Sequence, residues 1–143
     1  MLSITCKTAL KATIFLASKF DSDQKFSIKD ISEYIAANEH TVGKVLQTLV
    51  KESIINSSKG PTGGFYITDK QMALPVLRIV ESIDGESLFN ECGLGLSKCS
   101  ATHPCPIHNE YKHVRDGFKQ ICIQNSVKDL CLPINNGLAF LMD

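Results

Sequence analysis

Three cysteines and a histidine stand close together in the segment ECGLGLSKCSATHPCPIHNEY, as Cys92-x6-Cys99-x5-Cys105-x2-His108. Thiolates are the ligands of iron–sulfur clusters, and imidazole can replace one of them. Gly93 and Gly95 let the segment bend so that separated sulfurs converge. With Cys105 and His108 at i and i+3 of a helix start, both fall on one face, and the helix N-terminus favours an anionic guest. Other chemistries fit the same residues. Zinc accepts three cysteines and a histidine, although structural zinc sites usually show a Cys-x-x-Cys knuckle, which is absent here. A disulfide would leave one loop cysteine unpaired. A catalytic Cys–His pair would need an oxyanion site and a substrate pocket, and the sequence offers neither. For Cys6, Cys122 and Cys131, which lie in helical patterns, burial in the core is the simplest reading.

The elements that must position these residues are mostly helical. Residues 4–19 carry a broad apolar side with Lys7 and Lys11 on the remainder. Ser27-x-x-Asp30 forms a capping box for a second helix with Ile28, Ile31 and Ile35 as its stripe. After the turn AAN, Asn38 caps a third helix over 39–52, where Val42, Val45, Leu46 and Leu49 are spaced i, i+3, i+4, i+7. Its other side shows His40, Thr41, Gly43, Lys44, Gln47, Thr48 and Lys51. IINS (54–57) and FYIT (65–68) favour strands, and SKGPTGG between them is turn-forming, with Gly63 and Gly64 free to take positive φ at the tip. Pro75 opens a fourth helix that Gly85 ends. From Pro106 a longer helix is expected to about 125. Its apolar residues Ile107, Tyr111, Val114, Phe118 and Ile121 step by 4, 3, 4, 3, a heptad stripe that needs a second helix to cover it. Ser126-x-x-Asp129 caps a last short helix stopped by Pro133.

The fold expected is therefore mainly α with a small β-hairpin wing: a winged helix-turn-helix plus a long dimerisation helix. It divides into a DNA-binding domain (1–85), a cysteine-rich loop (86–105) that is the candidate ligand-bearing segment, the dimerisation helix and short C-terminal helix (106–132), and a tail (133–143). A reading helix needs one buried side and one polar side for the major groove. Asn38, His40, Thr41 and Lys44 are the candidates there, with helix-start N–H groups meeting phosphate. Lys59, Gly60, Thr62 and Gly63 lie in the turn-forming stretch of the wing. Gly43 costs about 1 kcal/mol in a helix interior, and close approach to DNA is one reason to keep it. Net charge is zero. Residues 1–70 hold nine lysines and seven acids, and the rest six basic and eight acidic residues, so binding must come from a local patch rather than the global field. No apolar run reaches the roughly 18 residues of a membrane span. The lysines of the N-terminal segment argue against a signal peptide. A cytoplasmic protein is expected, and no phosphate loop, GxSxG or HExxH motif suggests an enzyme.

KGPTGGF at 59–65 resembles the wing signature of the Rrf-two (IscR/NsrR-type) winged-helix transcription regulators. So do TALKA in the first helix, DIS in the second, IVESIDG at 79–85 and the three loop cysteines. The resemblance runs over residues 1 to about 130. It implies a homodimer on a double-stranded operator, with Lys59, Gly60, Thr62 and Gly63 as the DNA contacts of the wing and its basic residue, here Lys59 where arginine is usual, entering the minor groove. It also implies an iron–sulfur sensor of redox state, cluster status or nitric oxide. The IscR-like kind uses a histidine three residues after the last cysteine, the place of His108. The nitric-oxide-sensing kind draws an acidic ligand from the partner's first helix, where Lys7 stands here. Cys6 beside it is a rival fourth ligand. The implied ligands are Cys92, Cys99, Cys105 and His108, on a 2Fe–2S core in preference to 4Fe–4S; His103 and His113 are left as loop and surface residues. Two alternatives differ: a cluster-free family regulator using a thiol switch or a protein partner, and a metal-binding adaptor using its winged helix for protein contacts.

Overall fold

The computed structural model describes residues 1–143. Helix α1 (Ile4–Ser18) begins at Ser3, whose hydroxyl accepts from the Cys6 N–H at 3.0 Å. The Asp84 carboxylate holds the same serine, accepting from its backbone N–H at 2.9 Å and from its hydroxyl. The end of one helix is thereby clasped to the start of another. Helix α2 (Ile28–Tyr34) starts with the expected Ser27–Asp30 box, both bonds measuring 3.1 Å. Helix α3 (Glu39–Lys51) follows a turn in which Ala36 takes a positive φ of 52°. The order α1, α2, turn, α3 is the helix-turn-helix.

Strands β1 (Asn56–Ser58) and β2 (Gly64–Tyr66) pair antiparallel in the register Asn56↔Tyr66 and Ser58↔Gly64. They are shorter than expected because the N–H groups of Ile54 and Ile55 donate to the Leu49 carbonyl near the end of α3, at 2.9 and 3.4 Å, while both side chains are buried. Phe26 adds an isolated bridge to Phe65, with N–H···O bonds of 3.0 and 2.8 Å. At the tip the positive φ falls on Gly60 (103°) and Gly64 (142°), not on Gly63. Gly63 is needed for another reason: a Cβ there would lie 2.3 Å from the Ser58 carbonyl oxygen.

A one-turn helix α4 (Asp69–Met72), capped by Thr68 and Gln71, was hidden by its shortness. Gln71 is buried and donates to the Ser53 carbonyl at 3.1 Å and to the Asn56 side chain at 3.0 Å, tying the hairpin to the end of α3. Helix α5 runs Val76–Asp84, with Pro75 as its cap rather than its first residue. A 3₁₀ turn (Glu86–Phe89) leads into the cysteine loop. Helix α6 is His108–Gln124 and α7 is Val127–Asn135. Pro133 lies inside α7 instead of ending it. The helix loses one backbone bond there but keeps its packing through buried Cys131, while the tail folds back onto the Pro133 carbonyl through Leu138 and Ala139.

The main core gathers α1, α2, α3 and α7 around Ile31, Ile35, Leu46, Leu49 and Val127. A smaller cluster of Cys6, Val76, Val80, Phe89 and Cys122 joins α1 and α5 to α6. Gly43 belongs to the first region. It is buried, and a Cβ there would meet Ile28 Cδ1 at 3.4 Å. Its smallness serves the packing of α2 on α3, so approach to DNA is not the reason for it. An alanine just fits, and it removes the glycine's entropic cost. Gly43→Ala should therefore raise stability by about 0.5–1 kcal/mol in urea unfolding. Gly43→Leu, which must wedge the helices apart, should lower it by about 1–3 kcal/mol.

Candidate metal centre and nucleic-acid interface

The cysteine loop folds against the first turns of α6. Cys92, Cys105 and His108 are buried, and Cys99 is half-buried. The Cys99 Sγ lies 3.3 Å from His108 Nδ1. His108 is the first residue of α6, and its N–H donates to the Cys105 carbonyl at 3.0 Å. Cys105 therefore lies in the turn before the helix, not on its face as the i, i+3 spacing suggests, because Pro104, Pro106 and the Ile107 cap delay the helix start. Gly93 is required for contact rather than bending: a Cβ would lie 2.7 Å from the Tyr111 ring. Gly95 takes a positive φ of 77°.

Backbone N–H groups of Leu94 and Leu96 point at the Cys92 sulfur and lower its thiol pKa, favouring thiolate. Burial pushes the Cys105 thiol up, offset in part by the Ile107 N–H, and Cys92 lies beside it. No three His, Cys, Asp or Glu side chains converge closely enough to chelate a single ion. An iron–sulfide core asks for less, since its protein ligands are shared among several metal atoms. Soft donors, N–H groups aimed at sulfur and a buried cation nearby suit such an anionic core.

That cation is Arg115, which the sequence reading passed over. It lies two turns beyond His108 on the same face of α6, and only 5% of its surface is exposed. Nη1 donates to the Glu91 carbonyl at 2.7 Å. Burial works against its charge, but the Cys99 thiol beside it and then Asp116 hold its pKa above the ordinary value. Its spacing of seven from His108 was the available signal.

Cys6 is fully enclosed in the smaller core cluster. Burial, followed by the Asp84 charge, pushes its thiol up to about 12, so it is poorly placed to act as a thiolate ligand. Cys122 and Cys131 are likewise buried, with thiols raised by burial. His103 and His113 are exposed.

The heptad stripe of α6 divides in two. Ile107, Val114 and Ile121 are exposed, at 39%, 60% and 58%. Tyr111 and Phe118 are half-buried against their own chain, the first on Gly93 and the second 5.9 Å from the Phe89 ring. On α3, His40, Lys44, Gln47 and Lys51 are exposed along one side and Thr41 is half-buried. Asn38 is exposed, but its Oδ1 accepts from the His40 and Thr41 N–H groups at 2.9 and 3.3 Å, so those two donors are already engaged and not free for phosphate. Lys59, Gly60 and Thr62 are exposed at the wing tip, with Gly63 half-buried behind them. Lys25, not singled out from the sequence, adds a cation at the base of the wing, 5.0 Å above the Tyr66 ring.

A helix-turn-helix, a hairpin wing bridged to it and a separate long helix define a winged-helix regulator. The chain belongs to the Rrf2 family: the family model, described as an iron-dependent transcriptional regulator, matches residues 2–132. The HTH-type transcriptional regulator NsrR of Geobacillus kaustophilus is 23% identical over 123 residues, 85% of this chain and 83% of its own. Among solved structures, CymR, the global cysteine regulator of B. subtilis, is similar with a TM-score of 0.74 at 18% identity, covering 92% of this chain and 95% of its own. IscR of T. potens is similar with a TM-score of 0.72 at 17% identity, over 97% and 91%. The family and its relatives are transcriptional regulators, not enzymes. No helix is long and apolar enough to cross a membrane.

The buried thiol of Cys6 has a measurable consequence. Its pKa in the folded chain lies above the ordinary 9.0, at about 12, so the folded state holds the proton longer than the unfolded one. Its contribution is complete below pH 9 and is lost as pH rises toward 12. Cys6→Ala should therefore flatten the alkaline limb of the stability profile between those values, as read by denaturant unfolding at stepped pH.

Proposed function

We propose that this regulator is a cytoplasmic homodimer that binds a near-palindromic operator and senses redox state, cluster status or nitric oxide through an iron–sulfur cluster. Cys92, Cys99, Cys105 and His108 hold the cluster, with a 2Fe–2S core preferred. The single observation that carries this reading is the gathering of the loop at the head of α6, where Cys99 Sγ and His108 Nδ1 are 3.3 Å apart beside a buried guanidinium. NsrR and IscR among the similar proteins support it. When bound, the core supplies a redox-active anionic centre.

The chain's own residues do the rest. His108 opens α6, so ligation at this position fixes the head of the helix to the loop. Ile107, Val114 and Ile121 on the exposed side of α6 meet the same residues of a second copy. Tyr111 and Phe118 brace that side from behind. Each copy then presents α3 and the wing to one half-site. His40, Thr41 and Lys44 face the major groove, and Lys59 with Gly60, Thr62 and Gly63 reaches the adjacent minor groove. Asn38 acts chiefly by holding the start of α3. Loss of ligation frees the loop, and the spacing of the two reading helices changes with it.

A second reading is favoured by one observation. Cys92 and Cys105 lie side by side, one thiol pKa lowered and the other raised, and CymR shares the fold. Cys92, Cys99 and Cys105 would then act as a thiol switch, with Cys92 and Cys105 as its adjacent pair. One experiment separates the readings. Anaerobically purified protein is analysed for iron, sulfide and visible absorption, and its affinity is measured for a duplex selected by the protein from random sequence. Cluster-loaded and cluster-free forms should differ by about 5- to 150-fold. His108→Ala should lose or alter the visible spectrum, while His103→Ala should not. Colourless, iron-free protein after reconstitution would discard the cluster reading.

On the DNA side, Lys59→Ala should weaken binding across all duplexes and reduce the slope of log affinity against log salt by about 1. The check is fluorescence anisotropy over a salt series.

A further inference from the structure

We propose that Arg115 is the internal counter-cation of the cysteine loop: its buried guanidinium balances the negative charge of the ligated centre and thereby sets the centre's reduction potential. The inference rests on the cluster reading above and adds a residue outside the ligand set.

The observations start from an imbalance. A buried guanidinium is expensive unless its charge and its N–H groups are met. Nη1 is met by the Glu91 carbonyl, the residue next to Cys92. Nε has no hydrogen-bond partner although it is fully enclosed. The nearest carboxylate oxygen, on Asp116, is 3.6 Å away from it and belongs to a half-exposed side chain. Apart from the sulfur of the half-buried Cys99, the chain thus offers this buried positive charge only one partly exposed carboxylate, and leaves its Nε without a hydrogen bond. Arg115 also shares a face of α6 with His108, at a spacing of seven. An iron–sulfide core held by Cys92, Cys99 and Cys105 would bring further negative charge to the loop that Arg115 braces. Reduction makes that charge more negative by one. A fixed cation in a low-dielectric setting favours the reduced state, because attraction there is screened far less than in water.

Arg115 has a second, positioning role. By holding the Glu91 carbonyl and lying beside Cys99 it spans two stretches of the loop, so that the Cys92 and Cys99 ends stay on the same face of α6. A lysine keeps the charge but cannot reproduce the planar fork.

The test compares wild type, Arg115→Gln and Arg115→Lys, each loaded anaerobically and titrated with dithionite against redox dyes while the visible and EPR spectra are followed. One electron passes from dithionite to the centre, and no bond of the chain forms or breaks. Arg115→Gln should favour the reduced state at least about tenfold less, a midpoint lowered by 59 mV for a one-electron couple. Arg115→Lys should recover at least half of that shift, while releasing iron to a chelator faster than wild type. If the glutamine variant cannot be loaded, a lysine variant with a near-wild-type midpoint upholds the charge role. A glutamine variant with the wild-type midpoint overturns it. So does failure of both variants to load while circular dichroism shows intact helices, since the lysine retains the charge. A wild type that takes up no iron and sulfide would instead overturn the cluster reading itself.

Discussion

Close contact along α1 is the constraint on which the remaining architecture depends. Ala9, Ala12 and Ala17 are buried on this helix beside Phe15 and Leu16. Small side chains at those positions let α3, α5 and α7 approach it together, while the larger ones fill the gaps between them. Because α1 touches all three, it sets where the reading helix lies relative to the segments that lead into the cysteine loop. The Asp84 clasp to Ser3 fixes one end of this arrangement. Gln71 and Arg78 fix the other by donating to the Ser53 and Glu52 carbonyls just beyond α3. The hairpin is thus attached to a rigid body rather than hung from a loop.

The second organising feature is the division of labour on α6. His108, Arg115 and Cys122 recur every seven residues on its inner side, and Ile107, Val114 and Ile121 do so one residue earlier on its outer side. A buried imidazole and a buried guanidinium occupy the start of the inner row, and the apolar contacts to α1 and α5 occupy its end. One helix therefore joins the loop chemistry to the core of the reading domain without an intervening flexible joint.

Much of this was legible in the residues because it rests on local rules. The capping boxes at Ser27 and Ser126, the cap at Asn38, and the apolar periodicities of α2, α3 and α5 each follow from nearest neighbours in sequence, and each is present. What the sequence withheld depends on tertiary contact. Gly43 reads as polar-side or DNA-facing until Ile28 is seen against it. Gly63 reads as a positive-φ residue until the Ser58 carbonyl occupies the space of its missing Cβ. Tyr111 and Phe118 fit a heptad perfectly well, yet Gly93 and Phe89 draw them inward. Arg115 looks like one more charge on a solvated helix until its burial is counted. In the candidate centre the residue types were readable and their mutual geometry was not, since the loop from 90 to 107 has no periodicity to fix where each sulfur points.

The one-residue offset between the two rows of α6 carries a mechanical implication. Adjacent positions on an α-helix are separated by about 100° around its axis, so the inner and outer rows behave like two cams cut on one shaft. A small axial twist imposed at the His108 end turns both rows together, and the outer contour rolls against whatever rests on it. The rod needs no bend and the reading domain no unfolding for a change at the loop to register on the neighbouring flank.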